Sequence, residues 1–160
     1  MDCTLALLFS LLQLLSVGTA APLPGKVVKM KSRVKWMAEQ LIVRLNKDFQ
    51  VPAGLTLSPS DDLDGPASIV TALDGYNSMI SDTLDGVSQV KTDISSLTGY
   101  LSQWRQGHCS EKGPKPSVPG PLLELQNRKG FVHTVSIEAL MRVKEILNLL
   151  LKNLDHLDTC

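Results

Sequence analysis

Three histidines and three cysteines are all that this chain offers to metal or nucleophilic chemistry. No H-x-x-x-H or C-x-x-C spacing occurs, so no ready-made zinc or dithiol site is encoded. No glycine-rich phosphate loop occurs either. His108 adjoins Cys109, but sequence neighbours rarely form a catalytic dyad, and His133 and His156 are isolated. Asp61, Asp62 and Asp64 resemble a fragment of a calcium loop without its full ligand spacing or closing Glu, and loop solubility is the better reading. An enzyme is therefore not expected, nor a metal or cofactor. Aromatic residues are scarce at 4%, and 16 basic residues balance 16 acidic ones. That composition encodes no strong field or basic-aromatic run for nucleic acid. No N-x-S/T sequon occurs, so N-glycosylation is not expected.

Long apolar runs are also missing, with one exception. Leu5 to Leu15 (LALLFSLLQLL) is followed by Gly18, Thr19, Ala20 and Ala21, a small-residue cleavage site. Cleavage is expected after Ala20, which makes 1–20 a secretory signal peptide and 21–160 a single extracellular domain. Asp2 is atypical, because this region usually carries Lys or Arg. The run is too short to span a bilayer easily, so stable membrane insertion is not expected. Cleavage would remove Cys3 and leave Cys109 and Cys160 in an oxidising compartment, where a disulfide is expected. Within one chain that bond has one connectivity; free thiols or a bridge between chains are the alternatives. The intrachain bond closes a long loop, worth roughly 4 kcal/mol in the chain-entropy model.

What is present is helical periodicity. A first helix is predicted over 26–47, with Val27, Met30, Val34, Met37, Leu41 and Leu45 at spacings of three and four. A second begins near Pro66, with Gly65 as its cap, and carries Ile69, Leu73, Tyr76, Ile80 and Leu84 up to a break at Asp85-Gly86. A third follows at once, with Val87, Val90, Ile94, Leu97, Leu101 and Trp104 on one face, and ends at Gly107. A fourth is predicted from about Ser136 to Leu157, with Ile137, Leu140, Val143, Leu147, Leu150, Leu151, Leu154 and Leu157 inward. It is the most apolar and should be the most buried. Glu138/Arg142 and Glu124/Arg128 have i,i+4 spacing for surface ion pairs. No segment sustains the period-two alternation of a strand.

Loop lengths suggest the topology. The connection from Asp48 to Gly65 is long, the second turn is tight, and the last connection, from His108 to Pro121, is long again. A tight turn joins antiparallel neighbours, whereas a long loop can run the ~30 Å of a helix and make the next one parallel. Long-short-long is the up-up-down-down pattern of a long-chain four-helix cytokine bundle, with a plain up-down bundle as the alternative. A short extra helix is expected over 122–129 in the last connection, ended by Gly130.

The polar faces carry the remaining signal. Trp36 falls roughly 145° from the centre of the first apolar stripe, with Val43 on the same side. Lys29, Glu39, Gln40 and Lys47 surround them. A large aromatic among charges is either a binding hot spot or is covered by the long first loop. On the third helix Gln89, Thr92, Ser96 and Gln103 form an uncharged outer face with Tyr100 at its margin, a recognition surface or an ordinary solvated one.

Several motifs then converge. They are a cysteine in the last long connection paired with a C-terminal one, and the segment IEALMRVKEILNLLLKNLDHLDTC with its Leu151-x-x-Leu154-Asp155. Arg44-Leu45-Asn46 and the Ala21-Pro22-Leu23 start join them. Together they resemble the leptin family, most closely its fish-type members, over essentially the whole mature region. The resemblance implies an all-α, up-up-down-down four-helix cytokine with one disulfide. It implies a secreted hormone that binds and assembles a class I cytokine receptor, the leptin receptor ectodomain, and activates JAK–STAT signalling to regulate feeding and energy balance. A monomeric ligand is implied. The family's receptor face on the first and third helices maps to Arg33, Trp36, Glu39, Gln40, Arg44, Gln89, Thr92, Ser96 and Tyr100. Arg33 replaces an acidic residue of mammalian members, and Glu39 a basic one. A second receptor surface maps to Leu55, Leu57, Thr134, Val135 and Ser136; the segment Gly54 to Pro59 lacks the Asp and Phe of the family motif, and Thr134 or Ser136 would equally suit a helix cap. The rival readings are another helical class I cytokine with a different receptor and an amphipathic-helix lipid carrier.

Overall fold

A computed structural model describes residues 24–50, 63, 65–109 and 115–158. They form five α-helices, one 3-10 helix and no strand: α1 (Pro24–Asp48), α2 (Gly65–Met79), α3 (Val87–His108), α4 (Gly120–Asn127), α5 (Val132–Lys152) and a 3-10 turn over Leu154–Asp158. The described residues are thus all-helical in their regular structure, as the periodicity requires. The expected signal peptide, the acidic cluster at Asp61, Asp62 and Asp64, Leu55, Leu57 and Cys160 lie outside the described residues.

The apolar stripes close on one another. Met30, Val34, Leu41 and Leu45 of α1 are buried against α3 and α5, joined by Ala38, whose small side chain lets the helices approach closely. Val87, Val90, Ile94, Leu97 and Leu101 of α3 are all buried, and Trp104 packs at the core margin. In α5, Leu140, Val143, Leu147 and Leu150 are buried with Val135, Ala139 and Ile146, while Ile137 is half-buried. The buried arc of α5 is wide because it packs on both α1 and α2. Burial of such side chains at ~1.5–3 kcal/mol each is the main force opposing chain entropy.

Specific polar contacts mark which ends meet. Arg44, late in α1, pairs with Asp93, early in α3, and Arg33, early in α1, covers Tyr100, later in α3. Lys31 of α1 reaches Asp155, beyond the end of α5, at 3.3 Å. Asn77 of α2 donates to the carbonyl of Lys91 and the hydroxyl of Ser95 in α3. The Ser81 N–H, just beyond α2, donates to Ser136 Oγ in α5 at 2.9 Å.

Three expected boundaries move. The second helix stops at Met79 rather than running to Leu84, because the Ser81 N–H turns to Ser136 and its hydroxyl meets Thr83. The chain then bends through residues 80–86 and enters α3 at Gly86, whose φ of 76° lies in the left-handed region that glycine tolerates. The fourth long helix begins at Val132, four residues early, since the Phe131 carbonyl already accepts the Val135 N–H at 2.9 Å. It ends at Lys152, so Leu154 and Leu157 reach the core from a 3-10 turn. The ion pairs also regroup: Glu138 binds Arg128 at 2.8 Å, and Arg142 binds Glu145 at 2.9 Å. Arg142, expected on an outer face, is 3% exposed. Leu122 and Leu125 anchor α4 on α2, with Leu122 set directly over Gly75, where a Cβ would collide with it.

Candidate functional site

The α1/α3 face is built on the outer sides of two helices locked together by their inner ones. Trp36 is 62% and Val43 60% exposed, so the aromatic read as out of phase does stand in solvent. Beside them Arg33 lays its guanidinium over the Tyr100 ring, 5.0 Å from the centroid, a cation–π contact. Three turns on, Arg44 Nε lies 2.9 Å from Asp93 Oδ2. That approach is off-line for a hydrogen bond, so the attraction is mainly Coulombic. Gln89 Nε2 donates to the other Asp93 oxygen at 2.8 Å. Two links thus cross the helix pair, Arg33 to Tyr100 and Arg44 to an Asp93 that the sequence reading missed and that also holds Gln89. Its position four residues after Gln89 and seven before Tyr100 was the available signal.

Thr92 and Ser96 donate their hydroxyls back to the carbonyls of Ser88 and Thr92, at 2.9 and 2.8 Å. Their outward surface is therefore less polar than their composition suggests. Glu39 is exposed beside Lys35 at 3.8 Å, and Gln40 is exposed.

The second expected surface is only partly at the surface. Thr134 is exposed, but Val135 is 3% and Ser136 0% exposed. Ser136 accepts the Ser81 N–H and donates to the Val132 carbonyl at 2.8 Å, so it ties α5 to the end of α2 and does not face a partner. The early start of α5 turns both residues inward. In their place Phe131, 69% exposed, and Val132 stand in solvent at the corner between α4 and α5. Sequence reading missed them because they fell outside the expected helix.

The remaining candidates have structural explanations. His108 stacks on Trp104, with ring centroids 3.4 Å apart, and its Nδ1 lies 2.9 Å from the Trp104 carbonyl oxygen. Cys109 follows as the half-buried C-cap of α3. A groove open to solvent is lined by Leu45, Phe49, Gln50, Ile137, Leu140, Met141 and Lys144, and it pairs no acid with a base. Among the described residues, no three His, Cys, Asp or Glu side chains cluster to hold a metal, and no helix is long and apolar enough to cross a membrane.

Fold and surface together define an all-helical bundle consistent with a helical cytokine, with Trp36 and Phe131 exposed on its outside. No family model matches the sequence, and no solved structure matches it. A leptin of Tetraodon nigroviridis is 51% identical over 164 residues, and a leptin of Takifugu rubripes 46% identical over 165, each alignment covering the whole of both chains. The chain belongs to the leptin family.

Proposed function

We propose that the chain is a secreted hormone that acts by assembling a class I cytokine receptor, the leptin receptor, as a monomeric ligand without covalent chemistry. Kinases bound to the receptor inside the cell then come together, and JAK–STAT signalling adjusts feeding and energy balance. The observation that carries the reading is Trp36, a large aromatic 62% exposed in the middle of the α1/α3 face. Arg33, Glu39, Gln40, Arg44, Gln89, Thr92, Ser96 and Tyr100 complete that face. A second receptor chain meets Thr134, with Phe131 and Val132 beside it, and Leu55 and Leu57 of the first long connection. The contacts between helix ends support an up-up-down-down order: α1 and α2 each meet α3 and α5 head to tail. The inward apolar stripes weigh against a lipid carrier, whose helices would keep an apolar face for lipid.

Residues 1–20 act as the signal peptide in this reading, and Cys109 pairs with Cys160. The disulfide-bonded state of Cys109 supports that pairing. Cys109→Ser should lower unfolding free energy by roughly 4 kcal/mol; unchanged melting would remove the bond's structural role. The functional test is binding of oxidised 21–160 to the leptin receptor ectodomain of the same species. Trp36→Ala should keep its melting temperature and lose about 2 kcal/mol of affinity, roughly 30-fold. Binding unaffected by that change would move the site elsewhere, and no binding by the folded wild type would sink the receptor assignment.

A further inference from the structure

We propose that the α1/α3 face is shaped for an acidic protein surface with an apolar recess: Trp36 and Val43 enter the recess, and Lys29 and Lys47 meet carboxylates at its two ends. The inference rests on the receptor reading and names the chemistry of the surface that the receptor presents.

Charge in this chain is balanced overall but segregated locally. Lys26, Lys29, Lys31, Arg33 and Lys35 fill the first half of α1 without one acidic residue, and the second half adds Glu39, Arg44, Lys47 and Asp48. A helix N-terminus carries positive partial charge over its first turn, so Lys26 there, with no acid beside it, costs stability. Lys31, Arg33 and Lys35 have partners within the chain and Lys47 suits the last turn, which leaves Lys26 and Lys29 placed without a structural return, and such a placement points to function.

The wheel positions say where that charge is aimed. Lys29, Trp36, Val43 and Lys47 are spaced by seven, seven and four residues. At 3.6 residues per turn they fall within ~20° of one line. All four are exposed. Among the described residues neither Lys29 nor Lys47 has an ion-pair partner. Of the acids nearby, Asp93 lies against Arg44 and Gln89 and Glu39 faces Lys35, while the exposed Asp48 stands about 100° round the helix from the line. Across the seam Gln89, Thr92 and Ser96 add no charge. The face is therefore cationic at its rim and apolar along its middle.

That layout favours a protein over a polyanion. The two lysines of the line stand ~27 Å apart along the helix, too sparse to track a sulfated chain, which would also leave Trp36 and Val43 in water. A folded partner with a recess and acidic rim satisfies both features, since rim charges chiefly set association rate and a central aromatic chiefly sets residence time.

Binding kinetics on the same-species leptin receptor ectodomain test this, at ionic strengths from about 0.05 to 0.5 M, where screening length falls severalfold. The wild-type association rate should drop about tenfold or more across that range. Lys29→Gln/Lys47→Gln should associate roughly 3–10-fold more slowly at low salt, with a flatter salt dependence and dissociation within about twofold of wild type. Trp36→Ala should dissociate faster and keep the wild-type salt dependence. If Trp36→Ala still weakens binding while association ignores salt and the lysine changes, the face stands and the acidic partner surface is overturned. If Trp36→Ala binds like wild type, the receptor-face reading fails and takes this inference with it. Retention on heparin that the lysine variant loses, with unaltered ectodomain kinetics, would assign the lysines to a polyanion and overturn the proposal.

Discussion

The outward line of α1 and the corner where α4 turns into α5 both hold apolar side chains in water, but they are held by different means. Trp36 and Val43 sit in the middle of a helix whose opposite side, Val34, Ala38, Leu41 and Leu45, is buried core. Their placement is inherited from that core and changes only if the bundle does. Phe131 and Val132 sit at a chain reversal fixed by three ties. Leu122 rests on Gly75, Arg128 grips both carboxylate oxygens of Glu138 at 3.0 and 2.8 Å, and Ser136 takes the Ser81 N–H. A surface on a helix is edited by replacing the side chains that touch the partner. A surface on a corner can also be moved by residues that touch nothing outside the chain.

The largest way to break this contrast is Gly75→Ala. A methyl there meets the buried Leu122 side chain, which must shift and carry α4 with it. Overpacking of this kind costs about 1–3 kcal/mol. The expected outcome in denaturant unfolding is a loss in that range. Amide protection should fall across 120–130 and stay unchanged in α1. A variant that melts like the wild type would show that Leu122 turns aside freely and that the corner is fixed elsewhere.

A smaller effect is expected from Ser136→Ala. It strips the partly buried Ser81 N–H of its acceptor, and leaving such a donor unpaired costs about 1–3 kcal/mol, here toward the low end because the group is only partly enclosed. Stability should fall while affinity at the proposed α1/α3 receptor face holds. A loss of that affinity with the fold intact would show that the two surfaces are coupled through α5 rather than independent.

The same contrast explains what was legible in the sequence. Period alone located Met30, Val34, Leu41, Leu45 and the α3 stripe, because a helix buries one face whatever its partners are. It also put Trp36 opposite the core face but left open whether the first long connection covers it, and the structure has it 62% exposed. The corner was not legible, because its geometry depends on contacts between residues far apart in sequence. Ser81 and Ser136 are 55 positions apart, yet their bond is part of what ends α2 at Met79. The Arg128–Glu138 pair bridges two elements, where spacing favoured Glu138 with Arg142. Val135 and Ser136 were assigned to a surface by resemblance alone, and an α5 that starts at Val132 turns them inward. Ala38, fully buried, was passed over because alanine gives a weak periodic signal.

The smallest effect comes from a second helical glycine and sharpens the comparison at its other end. Gly99 lies inside α3 and is exposed, and nothing stands within 4 Å of where its Cβ would be. Gly99→Ala should therefore stabilise the fold by about 0.5–1 kcal/mol, the reverse of the same change in α2. A helix that forgoes this gain at a solvated position has broken a local rule, and such breaks gather at functional sites. Gly99 shares the outer side of α3 with Thr92, Ser96 and Gln103, at spacings of seven, three and four. A partner lying close against the α3 backbone would tolerate no methyl there. Gly99→Ala is thus expected to melt higher and bind the receptor several-fold more weakly. A variant that melts higher and binds normally would confine the contact to α1, with α3 serving to hold Arg33 and Arg44 in place.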